Sequence, residues 1–167
     1  MWTKLHWVDG PWPGKLALAA RPRGGDWLED EIANWRRAGI GAVVSLLTPE
    51  EERDLELESE GHETQAQGME FISLPIPDRE VPNSEPEFTS ALEELDASLS
   101  SGKNVAVHCR QGIGRTGLVA ACLLVQKGLN PETAVARLSA ARGVAVPETS
   151  EQRRWIDRYA AISAGAQ

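Results

Sequence analysis

Strands that alternate with helices along the 167 residues predict an α/β fold: a central, mostly parallel sheet flanked by helices, in a single domain. Three observations carry that prediction. Short β-rich apolar runs recur at 42–47, 69–74 and 105–107. Segments with apolar residues at helical spacing lie between and after them. No internal repeat, low-complexity stretch or composition shift divides the chain, and its length suits one hydrophobic core.

Taken in order, Lys15 to Ala20 reads as a short strand after the Pro/Gly-rich entry Gly10-Pro11-Trp12-Pro13-Gly14. Trp27, Leu28, Ile32 and Trp35 space a helix over 27–38, which Gly39 stops. Ala42 to Leu47 is apolar enough for a strand buried on both faces. Thr48-Pro49-Glu50-Glu51 then opens a helix: Thr48 caps, Pro49 takes the first position and Glu51 completes a capping box. Met69 to Leu74 is the next strand, and the proline-rich segment 75–86 has no room for a regular element. Phe88, Leu92, Leu95 and Leu99 mark a helix over 87–99. Val105 to Val107 is a strand, 117–125 a helix closed by Gly128, and Asn130-Pro131-Glu132 opens another helix to about Ala141. A last helix spans 147–159.

Composition narrows the function. A net charge of −8 and a pI of about 4.9 argue against a nucleic-acid partner. The charge concentrates in Glu50 to Glu63, where eight acids face only Arg53; the run is expected to be a solvated helix face. Two cysteines make no disulfide framework and suit a reducing, cytoplasmic setting. The longest apolar run, 118–125, is too short to span a bilayer, and the first residues lack a secretion-signal pattern.

The chemistry is concentrated in Val105 to Gly117, V-A-V-H-C-R-Q-G-I-G-R-T-G, where a strand feeds a loop and the loop feeds a helix. Gly112 and Gly114 let the backbone bend so that the amides of Arg110, Gln111, Gly112, Ile113 and Gly114 converge on an anion. The helix N-terminus adds its dipole. Cys109 lies at the bottom of that nest and Arg115 on its rim. The same field that holds a phosphate dianion favours a thiolate. Arg115 offers two parallel charge-assisted hydrogen bonds to phosphate oxygens. The Thr116 hydroxyl is placed to donate to the sulfur. His108 is expected to bond the loop backbone and favour the thiolate indirectly, Cys122 to be core, and Arg110 and Gln111 to lie at the pocket mouth. Ester cleavage also needs an acid for the leaving oxygen. Asp78 in the proline-rich loop is the candidate, with Glu80 its rival. Gln152 is a candidate to orient the hydrolytic water, and Arg142 to tie down a neighbouring loop.

His108-Cys109-Arg110-Gln111-Gly112-Ile113-Gly114-Arg115-Thr116-Gly117 resembles the His-Cys-x5-Arg-Ser/Thr signature of the cysteine-dependent protein tyrosine phosphatases. The dual-specificity and kinase-associated branch is most similar in size. Pro75-Ile76-Pro77-Asp78 resembles its general-acid loop, and Glu148-Thr149-x-x-Gln152 its terminal segment; residues 1–40 show no such likeness. The resemblance implies a phosphatase-type fold, with 1–167 as one catalytic domain. It implies Cys109 as nucleophile, Arg115 as phosphate ligand, Asp78 as acid then base and Thr116 as the aid to thiolate departure. It implies no metal and no cofactor. The tryptophan that precedes the acid loop in tyrosine-specific members is replaced here by Ile76-Pro77-Asp78.

The function expected is hydrolysis of phosphoprotein or phosphopeptide monoesters, on phosphotyrosine and also phosphoserine or phosphothreonine, through a phosphocysteine. Gln111 and Ile113 stand where lipid-phosphate members carry lysines, and an acidic chain is repelled by an anionic membrane. The alternatives are a phosphate-reading module with little turnover, a phosphatase for a non-protein monoester, and a sulfur-transfer or arsenate-reducing enzyme.

Overall fold

The computed structural model describes residues 2–165. One five-stranded sheet runs through it, in the order β1-β2-β5-β3-β4. The strands are β1 (His6–Val8), β2 (Leu16–Ala19), β3 (Ile40–Ser45), β4 (Glu70–Ser73) and β5 (Asn104–His108). All pairings are parallel except that of β1 with β2. The helices are α1 (Leu28–Arg37), α2 (Pro49–Asp54), α3 (Glu60–Ala66), α4 (Glu85–Ser100), α5 (Gly114–Gln126), α6 (Pro131–Arg142) and α7 (Ser150–Gly165). The expected α/β class and mostly parallel sheet are therefore observed.

Strand residues alternate between two cores, as the two-residue period of a pleated sheet requires. Leu16, Leu18, Val44, Val105 and Val107 join the larger one, under α4, α5, α6 and α7. Ala17, Ala19, Val43 and Ala106 face the smaller one with Leu28, Ile32 and Trp35 of α1. Three of those four strand side chains are alanine, which leaves room for the fully buried indole of Trp35. Its Nε1–H donates to the Thr3 carbonyl at 3.2 Å.

Helix α5 is buried from Gly114 to Val125 and is the spine of the larger core. A helix covered on all sides reads as continuously apolar, which is why it has no stripe. Cys122 lies within it, and burial pushes its thiol well above the ordinary value. The expected core role for Cys122 matches this placement.

Several elements differ from expectation. Strand β1 was not anticipated: three residues carry no periodicity, and the strand forms because β2 offers a free edge to His6, Trp7 and Val8. Helix α5 begins at Gly114, three residues earlier than expected, because burial of Arg115 and Thr116 outweighs the cost of two early glycines. Helix α7 begins at Ser150, after the Pro147 turn, with Thr149 Oγ1 accepting from the Gln152 amide at 3.1 Å. The acidic run is not one solvated face. It breaks into α2 and α3, and Glu51 and Glu60 are buried. Among the described residues no helix is long and apolar enough to cross a membrane.

The N-terminal segment is fastened by a buried carboxylate, Glu31 of α1. It accepts from the Thr3 amide at 3.0 Å, the Thr3 hydroxyl, the Arg23 amide at 2.9 Å and the Arg23 guanidinium at 3.3 Å. Burial alone would raise this carboxyl, but those donors outweigh it and hold it below its ordinary value of 4.5. A depressed carboxyl contributes stability above its unfolded value and loses it as pH falls through the folded one. Stability is therefore expected to fall as pH drops below about 4.5, with Glu31→Gln flattening that decline in denaturant titrations. Trp35→Ala should lower unfolding free energy by about 3–5 kcal/mol, read from the denaturant midpoint, because a fully buried indole leaves a cavity.

Candidate active site

Parallel strands place their C-terminal ends on one side of a sheet, where the following loops converge. The loop leaving β5, residues 109–113, is clasped from three directions there. The Arg21 amide donates to the Arg110 carbonyl at 3.3 Å, and the Leu46 amide to the His108 carbonyl at 3.0 Å. Arg142 donates through Nε to the Gly112 carbonyl at 3.1 Å and through Nη2 to the Gln111 carbonyl at 2.9 Å. The expected tie from Arg142 to a neighbouring loop is this pair of bonds. These partners take up the carbonyls of Arg110, Gln111 and Gly112.

Gly112 is required twice over. Its φ is +73°, and a Cβ there would lie 2.4 Å from the Ala19 carbonyl oxygen. That close approach seats the loop on the end of β2. It also aims the Gly112 amide at Cys109 Sγ, 3.3 Å away. The Thr116 hydroxyl donates to the same sulfur at 3.0 Å. Cys109 is buried at the base of a cleft whose walls include Asp78, Arg79, Arg110, Gln111, Gly114, Arg115 and Glu148.

Arg115 is 1% exposed, so its charge needs partners. Glu51 supplies them as a two-pronged acceptor, with Oε1 at 2.6 Å from Nη1 and Oε2 at 2.9 Å from Nη2. The Ile76 carbonyl takes Nη1 at 2.8 Å, and Asp78 Oδ1 takes Nη2 at 3.1 Å. Burial alone would lower the guanidinium. The Glu51 hydrogen bonds and the charges of Cys109, Glu51 and Asp78 outweigh it and push Arg115 up, so it stays a cation. Glu51 mirrors this: burial would raise it, but the Arg115 and Thr48 hydrogen bonds hold it below its ordinary value. The capping box expected from Thr48 and Glu51 is present, and the capping carboxylate is the one that holds Arg115.

Asp78 has a half-exposed side chain at the cleft mouth. The next residue, Arg79, has φ +66° and pairs with Glu148 across the cleft at 3.0 Å. Glu80, the rival acid, is exposed and absent from the cleft walls. Arg110 and Gln111 are exposed at the mouth, and Ile113 is half-buried against the larger core. His108 is fully buried; its Nδ1 lies 3.2 Å from the Cys109 carbonyl oxygen and its Nε2 2.6 Å from Glu60 Oε2. Gln152 differs from expectation. It is fully buried, and its Oε1 accepts from the Glu148 and Thr149 amides, both at 3.1 Å. Its Nε2 donates to the Glu80 carbonyl at 3.1 Å. Those bonds join the acid loop to the start of α7.

Sequence reasoning missed Glu51 and Glu60 as site residues. Nothing in the local pattern separates Glu60 from its exposed acidic neighbours, and Glu51 stands out only as a capping residue. The available signal was indirect: a buried Arg and a buried His at the end of a central strand each demand a partner.

Comparison with known proteins agrees with this geometry. Residues 17–129 match the family described as polymorphic toxin system, DSP-PTPase phosphatase. Cyclin-dependent kinase inhibitor 3 of Sus scrofa is 32% identical over 87 residues, covering 51% of this chain and 41% of that protein. A putative tyrosine phosphatase, 197R, of Invertebrate iridescent virus 6 is 27% identical over 137 residues, covering 80% of this chain and 49% of that protein. The chain thus spans less than half the length of these curated relatives. Among solved structures, a kinase associated phosphatase with its catalytic-site cysteine changed to serine superposes with a TM-score of 0.89 at 22% identity, covering 98% of this chain and 97% of that one. Tk-PTP in its active form gives 0.78 at 28% identity, covering 96% and 99%. PTPMT1 gives 0.80 at 19% identity, covering 98% of each. With the family matched over more than half its length, the chain belongs to the dual-specificity branch of the protein tyrosine phosphatases.

Proposed function

We propose that the chain hydrolyses phosphate monoesters on proteins, phosphotyrosine foremost and phosphoserine and phosphothreonine as well, through a phosphocysteine. The observation that carries this reading is the convergence on Cys109 Sγ of the Gly112 amide and the Thr116 hydroxyl, in a cleft that also holds Arg115 and Asp78.

The loop amides and the Arg115 guanidinium bind the phosphate dianion and stabilise the charge spread over its oxygens in the transition state. Cys109 Sγ attacks phosphorus in line. The bond to the ester oxygen breaks as Asp78 gives that oxygen its proton. Water then attacks the phosphocysteine, Asp78 takes its proton, the P–S bond breaks and the thiolate leaves toward the Thr116 hydroxyl. Asp78 is bonded to Arg115 Nη2 in this structure, so an incoming dianion takes over that donor and frees Asp78 to reach the ester oxygen. His108 and Gln152 act as supports: His108 from below the nucleophile, Gln152 from behind the acid loop.

Protein substrates are favoured over lipids because the cleft mouth carries Gln111 rather than a lysine and Ile113 packs against the larger core, on a chain of net charge −8. The likeness to PTPMT1, which has also been solved with PI(5)P, is one of fold, so phosphoinositides belong in the substrate panel. On p-nitrophenyl phosphate, Cys109→Ser is expected to abolish turnover, and Asp78→Ala to lower kcat by about 10²–10⁴-fold. Phosphopeptides should outpace phosphoinositides and nucleotides assayed beside them. Stoichiometric phosphopeptide binding without turnover would instead support a phosphate-reading module. Glu51→Gln should lower kcat/KM by roughly ten- to a hundredfold, the worth of a charge-assisted pair, and should lower the melting temperature with it. An unchanged kcat/KM would show that the carbonyls of Ile76 and Leu46 suffice to hold Arg115.

A further inference from the structure

Below the nucleophile lies a pair of titratable groups that the chemistry above does not use. His108 and Glu60 are buried, with side chains 0% and 2% exposed, and Nε2 meets Oε2 at 2.6 Å. The other ring nitrogen faces the Cys109 carbonyl oxygen at 3.2 Å. Both partners are therefore oxygens, one a carbonyl that only accepts and the other a carboxyl. A neutral imidazole has a single N–H. To satisfy both contacts, the pair must hold one proton more than a neutral ring beside a carboxylate. That proton lies on Nε2 or on Oε2, and in either place Nδ1–H is left to donate to the Cys109 carbonyl. The pair is then neutral overall, which is what burial demands.

The surroundings reinforce this. Glu52 of α2 lies within reach of the charges of Glu60, of Glu58 between α2 and α3, and of His108. Burial, then Glu60 and Glu58, push the Glu52 carboxyl up, while His108 draws it down. From α1 the uncharged Trp35 ring faces His108, tilted at 50° with centroids 6.0 Å apart. On the far side of Cys109, the charge that acts on it is Arg115 of α5. Among the described residues, Glu60 Oε1 and Thr64 Oγ1, both buried in α3, make no hydrogen bond, so the side-chain hydrogen bond that Glu60 makes is the one to His108.

The geometry points to Glu60 as a positioning residue that, through His108, keeps a proton bound behind Cys109, fixes the Cys109 carbonyl toward the ring and so holds the nucleophile as a thiolate. The inference rests on the reading of Cys109 as nucleophile. It adds a residue from outside the signature segment, 48 positions earlier in the chain.

The test reads the sulfur directly. Cys109 alkylation by iodoacetamide is followed from pH 5 to 9 by peptide mapping, in the unsubstituted chain and in Glu60→Leu, which leaves Nε2 without a polar partner. The substituted protein should react about tenfold more slowly at pH 6, the factor that one unit of displacement carries, and equally at pH 9. The acid limb of kcat/KM on p-nitrophenyl phosphate should move up by the same amount, and Glu60→Gln, which can still donate to Nε2, should restore much of the loss. Superimposable alkylation profiles in a folded Glu60→Leu protein would overturn the proposal. Should that variant not fold, ¹⁵N shifts of His108 decide the matter in a chain whose His6 and His62 are replaced by Gln. Nδ1 should carry a proton, donated to the Cys109 carbonyl, and a bare Nδ1 would overturn the proposal. Absence of hydrolysis in the unsubstituted chain, with the alkylation difference intact, would sink the phosphatase reading and leave the dyad standing.

Discussion

The structure around the cleft depends on one charge balance: a guanidinium taken out of water and held by a carboxylate also taken out of water. Arg115 is 1% exposed, and Glu51 meets it with both oxygens. An isolated buried charge of either sign would cost several kcal/mol, and each residue offsets that cost for the other. Because Glu51 is also the third residue of a capped helix, its direction is set by the backbone of α2 rather than by its own rotamer freedom. A short, otherwise unremarkable helix thus fixes the orientation of the planar group that would face a phosphate.

The loop below Arg115 is shaped by the sheet. Gly112 lies against the last residue of β2, so close that a methyl group would collide with its carbonyl. Arg142 draws two loop carbonyls outward from the other side. The Gly112 amide is therefore aimed at the Cys109 sulfur before any ligand arrives, and a donor fixed in advance stabilises charge without reorganising. The small side chains of β2 serve the same end, since Ala17 and Ala19 let α1 and Trp35 pack against the face beneath.

Much of this was legible from residues alone, and the rest was not, for identifiable reasons. The strand-loop-helix segment 105–117 announced itself because its glycines, cysteine and arginine are adjacent in the chain and local chemistry dictates their arrangement. Asp78 could be named because a proline-rich loop has few acidic residues to choose between. Glu51 was read correctly as a capping residue, yet its second bond, to a residue 64 positions away, leaves no local trace. Glu60 was lost among eight acids for the same reason. Gln152 was assigned to the site by position, while its burial and its bonds to three backbone groups depend on how α7 docks. Strand β1 had no periodicity to detect, because its partner rather than its own sequence makes it a strand.

The Gln152 amide ties Glu80, two residues beyond the acid, to the first turn of a helix 72 positions further on. The Arg79–Glu148 pair makes a second stitch between the same two segments. The distance between the Asp78 carboxyl and the Cys109 sulfur is consequently a property of the whole domain, inherited from where the final helix comes to rest. Transplanting the proline-rich segment into a relative would carry the carboxyl group across without its aim. Lineages that remodel the terminal helix would be free to retune the acid while leaving every residue of the signature untouched.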